Sequence, residues 1–203
     1  MSGPPTEFLN DSGEVISYGS RWPVTGPPDD SYSRVSTPQR FLPLQVVARQ
    51  LIAHLAREYE VEVATDPLFV SDFSNPAGVG EVVRLIPASP LAARLPFGFT
   101  SLPGVFLAAG AFHQFAFPSC GCDACDEDMD AQLDQLEETV FAVVDGDYRE
   151  WVTSPEVGFA LRLRSGSRSG SGAARDTDPE RLAAGLSALP QAGVNWMPWP
   201  KQR

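Results

Sequence analysis

Apolar positions recur at helical spacing in two stretches of the chain. Leu44, Val47, Ala48, Leu51, Ile52 and Leu55 make one stripe and predict a helix over about residues 39–58. Met129, Leu133, Leu136, Val140 and Val144 make another. It predicts a helix from about Asp126 to Val144 that stops at Asp145-Gly146, where glycine suits the left-handed cap. A third helix is signalled by its ends, with Asp178 as cap, Pro179 at the first position and Pro190 as the stop. Elsewhere the pattern has period two. Glu60–Thr65 alternates as a half-buried strand, and Val82–Pro87, Phe97–Thr100 and Val105–Phe112 read as further strands, the last two joined through the turn signal Pro103-Gly104. A strand continuing past Phe112 puts His113, Phe115 and Phe117 on one face and carries His113 toward the segment that follows. Tyr148–Thr153 and Gly158–Arg164 complete the set, with Arg162 and Arg164 on the watery side of the last strand. The order is helix, four strands, helix, two strands, helix. It predicts a single α+β domain, a mostly antiparallel sheet with about three helices packed on one face.

The stretches outside this pattern are rich in turn formers. Residues 1–31 carry Trp22-Pro23 and Gly26-Pro27-Pro28-Asp29-Asp30 without periodicity, and predict an arm leading into a domain over 32–203, with Trp22 as its anchor. Residues 66–79 read as a loop, and Ser165–Gly172 as a flexible Ser/Gly loop at 165–172. The tail Asn195-Trp196-Met197-Pro198-Trp199-Pro200 cannot be helical, and its tryptophans are expected to pack on the body.

Composition narrows the function classes. The chain of 203 residues carries a net charge of −11, and Lys201 is its only lysine. Such a balance argues against nucleic acid and anionic membrane surfaces, which need a basic face. The first residues lack the basic and apolar regions of a signal peptide, and the apolar stretch Pro96–Pro118 is broken by Pro103-Gly104, so strands fit it better than a membrane span. The expected location is the cytoplasm. No G-x-S-x-G, H-E-x-x-H, dinucleotide-binding or phosphate-loop pattern occurs, and there are only two histidines.

The distinctive chemistry sits in Phe117-Pro118-Ser119-Cys120-Gly121-Cys122-Asp123-Ala124-Cys125-Asp126-Glu127-Asp128. It holds all three cysteines, in the spacing C-x-C-x-x-C, and eight carboxylates fall between Asp123 and Glu138 with no basic residue among them. Four readings are open. Thiolates are soft ligands that suit zinc, and the surrounding charge favours a cation, but a zinc site wants four ligands. His113 is the best fourth candidate, with Asp123, Asp126 and His54 behind it. Alternatively, Cys122 and Cys125 form a redox pair at a helix N-terminus, although Asp123, Asp126, Glu127 and Asp128 oppose thiolate formation. The remaining readings are a disulfide with one thiol left over, and three small residues packing a tight turn. An EF-hand reading of Asp126, Asp128, Asp130, Leu133 and Glu137 lacks the glycine that such a loop needs where Ala131 stands, and a helix with an acidic first turn explains the same residues.

Several segments together resemble a known family: Tyr32-Ser33-Arg34-Val35 with Pro38 and Arg40-Phe41, the cysteine segment from Ala116 to Glu127, and the closing Trp196-Met197-Pro198-Trp199-Pro200. They are similar to an actinobacterial family of uncharacterised proteins, over roughly Tyr32 to the C-terminus. The resemblance implies a bacterial cytosolic protein and carries no catalytic residue with it. Together these readings favour a non-catalytic interaction or accessory protein, with an unidentified protein partner and zinc on Cys120, Cys122, Cys125 and His113. The alternative is a thiol-redox enzyme using the Cys122/Cys125 pair.

Overall fold

The computed structural model describes residues 8–9, 12–153, 156–177, 179–188 and 193–203. Among these residues, two antiparallel sheets and three α-helices make an α+β fold. Helix α1 (Leu42–Glu58) leads into the first sheet, formed in sequence order by β1 (Val61–Thr65), β2 (Val79–Pro87), β3 (Leu95–Thr100), β4 (Gly104–Ala109) and β5 (His113–Phe117). Helix α2 (Met129–Val144) follows. The second sheet has the order β8-β7-β6-β9, built from β6 (Tyr148–Thr153), β7 (Glu156–Leu163), β8 (Gly166–Ala173) and the short β9 (Val194–Asn195), with α3 (Pro179–Ala188) between the last two. No helix among the described residues is long and apolar enough to cross a membrane.

The apolar stripes behave as their spacing dictates. Leu44, Ala48, Leu51 and Leu55 of α1 and Leu136, Val140 and Val143 of α2 are buried in one cluster with the inner faces of both sheets. Helix α1 packs on β4 and on α2, and α2 packs on β7, so the helices bridge the two sheets. Strand β3 is buried on both faces. Its outer face is covered by a 3-10 segment, Pro67–Asp72, and by Phe73, which packs with Val82 and Ala108. Residues 66–79 are therefore a cover for the sheet rather than a bare loop. At the end of α2, Gly146 takes the expected left-handed conformation at φ +79°, and a Cβ there would meet Pro198.

Three expectations need correction. The fourth strand does not run past Phe112: the chain turns at Gly110 and returns as β5, with His113 paired to Ala109 at the turn. There are two sheets rather than one. And the Ser/Gly segment is strand β8, paired residue for residue with β7 from Glu156↔Ala173 to Leu163↔Gly166. Composition signals a chain that loses much entropy on ordering, but β7 offers a full ladder of hydrogen-bond partners, and Arg168 lies over the Phe115 ring. The cap Asp178 and the helix stop Pro190 fall outside the described residues.

What locks the sheets together is a buried charge. Glu150 of β6 is fully buried. Its two oxygens accept from the backbone N–H of Ala111 and of Phe112, each at 2.9 Å, from His113 Nδ1 at 3.2 Å and from Trp196 Nε1 at 2.9 Å. Gly110 makes room, since a Cβ there would lie 2.0 Å from Glu150 Oε2. Burial pushes the Glu150 carboxyl up, but His113 and the two backbone donors outweigh it and hold it below its ordinary range. A carboxylate with a depressed folded pKa contributes stability above its unfolded pKa and loses it as pH falls through the folded value. Glu150→Gln, which turns a donor toward these donors, should cost about 3 kcal/mol in denaturant unfolding and flatten the loss of stability below the carboxylate range. Unchanged unfolding would show that the junction is dispensable.

Candidate metal centre

The chain leaves β5 through a cis Phe117–Pro118 peptide and enters the cysteine loop. The loop has little apolar content, so polar bonds to the arm hold its shape. Asp123 N donates to Arg34 O at 2.8 Å and Ala124 N to Ser31 O at 3.2 Å. The carbonyl of Asp123 accepts from Trp22 Nε1 at 3.0 Å and from the Arg21 guanidinium. Its carboxylate accepts from Ser36 N at 2.9 Å and Ser36 Oγ at 2.5 Å. Burial pushes the Asp123 carboxyl up, and the Ser36 bonds, with Arg21 and Arg34 nearby, more than offset it, so it sits below its ordinary value. Trp22 is thus the expected anchor of the arm, and what it anchors to is the cysteine loop.

The other carboxylates are likewise engaged. Asp126, at φ 45°, accepts from Arg21 N at 2.8 Å and pairs with Arg21 Nε at 3.3 Å. Glu127 accepts from Cys120 N at 3.0 Å, burial pushes its carboxyl up, and its carbonyl accepts from Arg40 at 3.1 Å. Asp128 caps α2 by accepting from Ala131 N at 2.8 Å. The acidic run therefore serves as a cap and as the arm's docking points, and α2 occupies the space a calcium loop would need.

These bonds bring the three thiols together. Cys120 Sγ lies 3.2 Å from Cys122 Sγ, Cys122 Sγ lies 3.4 Å from Cys125 Sγ, and all three sulfurs are within 4.8 Å of one another. All three are free, with Cys125 exposed and the other two half-buried. Sulfurs around a tetrahedral zinc, at about 2.3 Å from the ion, stand about 3.8 Å apart, so the triad needs little rearrangement to take one. Gly121 lets the loop lie close against the Leu102 side chain, since a Cβ there would lie 2.6 Å from it. A cleft of about 680 Å³ lined by Asp72, Arg94, Glu180 and Trp196 has none of the cysteines in its wall.

The structure does not bring His113 to the thiols. It starts β5, whose five residues span roughly 13 Å, while the cysteines follow the far end. There Glu150 and the Phe159 ring, 4.3 Å away between centroids, hold the imidazole. His54 lies on α1, 3.2 Å from Arg57 and edge-on to Phe141. Sequence reasoning missed Glu150, whose four donors come from two segments far from it in sequence, and it missed Arg21, Arg34 and Ser36 as partners of the loop. Their basic and hydroxyl side chains opposite an acidic run were the available signal.

The thiols differ in acidity. A hydrogen bond from Cys120, followed by backbone N–H groups, lowers the Cys122 thiol, whereas bonds with Cys120 and Cys122 push Cys125 up to about 12. Helix α2 begins only at Met129, so its dipole does not face the pair as a helix-borne C-x-x-C would require. Limiting iodoacetamide at pH 7.5 on metal-free protein should label Cys122 ahead of the more exposed Cys125, read by peptide mass spectrometry; the reverse order would mean that exposure governs reactivity. The arm's attachment is testable separately. Asp123→Ala removes two bonds to Ser36, about 2 kcal/mol of local stability, and should speed tryptic cleavage after Arg21 or Arg34 roughly thirtyfold. An unchanged rate would place the arm's attachment elsewhere.

Comparison with curated proteins and with solved structures gives no match. Residues 4–203 match a family of unknown function (DUF6226). With nearly its whole length covered, the chain belongs to that family.

Proposed function

We propose that this is a non-catalytic accessory or interaction protein of the bacterial cytosol whose cysteine loop holds a structural zinc ion. The observation that carries this reading is the convergence of Cys120, Cys122 and Cys125 on one point within a loop that has little core of its own. The ion would fasten together the arm, the end of β5 and the start of α2, because metal bound only by the folded loop adds its binding energy to folding. The net charge of −11 favours a protein partner over nucleic acid. A second reading has one observation in its favour. The split in acidity between Cys122 and Cys125 suits a dithiol that passes two electrons and two protons to a disulfide substrate and itself closes to a disulfide.

Protein purified without chelators should carry about one equivalent of zinc. At a free metal concentration near a hundred times Kd, the ion is worth about 2.7 kcal/mol, so chelation should lower Tm by roughly 5–10 °C. Cys125→Ser should destabilise the loaded protein much more than the chelated one. Metal-free protein whose Tm ignores chelators, with a Cys122–Cys125 disulfide that forms and reduces reversibly, would instead support the redox reading.

A further inference from the structure

We infer that the fourth coordination position of this metal centre is open and takes a thiolate from outside the chain. The inference rests on the proposed zinc site and adds to it the ligand that completes it.

The argument begins with coordination number. Zinc takes four ligands, and sites with three protein ligands keep the fourth place for water or an exogenous group. Among the described residues, no histidine or carboxylate joins the three sulfurs. The nearest candidates in sequence are committed: Asp123 to Ser36, Asp126 to Arg21, Glu127 to the backbone of Cys120 and Asp128 to the start of α2. His113 is held by Glu150 and His54 stands beside Arg57. The thiol cluster also lies at the surface, since Cys125 is exposed, so a fourth ligand can approach from solvent.

Chemistry then selects the incoming donor. Three thiolates already outweigh the charge of the ion, so a bound water is little polarised and the centre is a poor source of hydroxide. An incoming thiol is different, because a thiol that coordinates zinc is deprotonated outright. Its binding balances as Zn–OH2 + RSH → Zn–SR + H2O + H+, with no change of oxidation state, the proton going to solvent. Soft sulfur also matches the soft character of the three ligands in place.

Cobalt substitution reads this directly, because the sulfur-to-cobalt charge-transfer absorption grows with the number of Co–S bonds. Co(II)-loaded full-length protein should show a three-sulfur spectrum. Excess 2-mercaptoethanol should raise the charge-transfer band by about one third as a fourth sulfur binds. A cysteine-bearing unstructured peptide forms the second arm: response to the small thiol alone assigns a small-molecule ligand, and response to the peptide alone a protein cysteine. His113→Gln keeps a donor for Glu150 and should leave the spectrum unchanged, as should His54→Gln. A Co(II) protein whose spectrum ignores both thiols, or changes in either histidine variant, overturns the open position while the metal site stands. Failure to bind Co(II) or Zn(II) at all overturns the metal site itself.

Discussion

A carboxylate with no exposed surface can persist only if its oxygens are fully hydrogen-bonded, and Glu150 imposes that condition on three parts of the chain at once. The turn between β4 and β5 must present the N–H groups of Ala111 and Phe112, the tail must deliver the Trp196 indole, and β6 must sit under both. Tyr148, two residues earlier on the same strand, adds a bond to Ala109 O. Packing alone would let the two sheets slide, because apolar contacts are not directional. Four donors aimed at one carboxylate are directional, and they set how the second sheet meets the first. The same requirement decides the fate of His113, which serves the junction and is thereby withdrawn from the thiols.

The acidic segment shows a comparable division of labour. Eight carboxylates between Asp123 and Glu138 suggest a cation site when read as composition. In the fold Asp123 and Asp126 receive the arm, Glu127 braces Cys120, and Asp128 starts α2. Arg21, stacked on Trp22, brings a guanidinium to this surface, and Arg40 lies between Tyr18 and Phe41. Opposite charge arrives from more than eighty residues away in sequence, and it meets the part of the acidic run nearest the thiols.

That distance also explains what was legible beforehand. Period 3.6 and period 2 are local signals, and they placed α1, α2, the β3–β4 hairpin and β6 within a few residues of where they stand. The cysteine triad was equally legible, because spacing alone keeps three thiols within six residues close together. Strand β8 was not, since a Gly/Ser stretch has no side-chain pattern and becomes a strand only through β7. The turn at Gly110 was hidden in an apolar run, and its reason, the Glu150 carboxylate against the glycine, lies forty residues on. The fourth ligand was misplaced on the same ground. Projecting a strand through Phe112 carried His113 toward the loop, whereas the turn put it at the opposite end of β5.

The arm gives a physical reason for a metal at this point. Ordering each backbone residue costs about 1–2 kcal/mol, and the segment from Gly19 to Ser36 contributes few side chains to the core. Its attachment depends on bonds to the loop at Asp123, Ala124 and Asp126, each of which holds only as long as the loop keeps its shape. The loop in turn has no regular structure between β5 and α2. The three thiols at the centre of that segment touch one another only through weak sulfur contacts unless something joins them. A shared ion, as proposed here, would link residues 120, 122 and 125 directly, and through Asp123 and Asp126 it would steady the arm as well, so one bound metal would order far more chain than the loop that holds it.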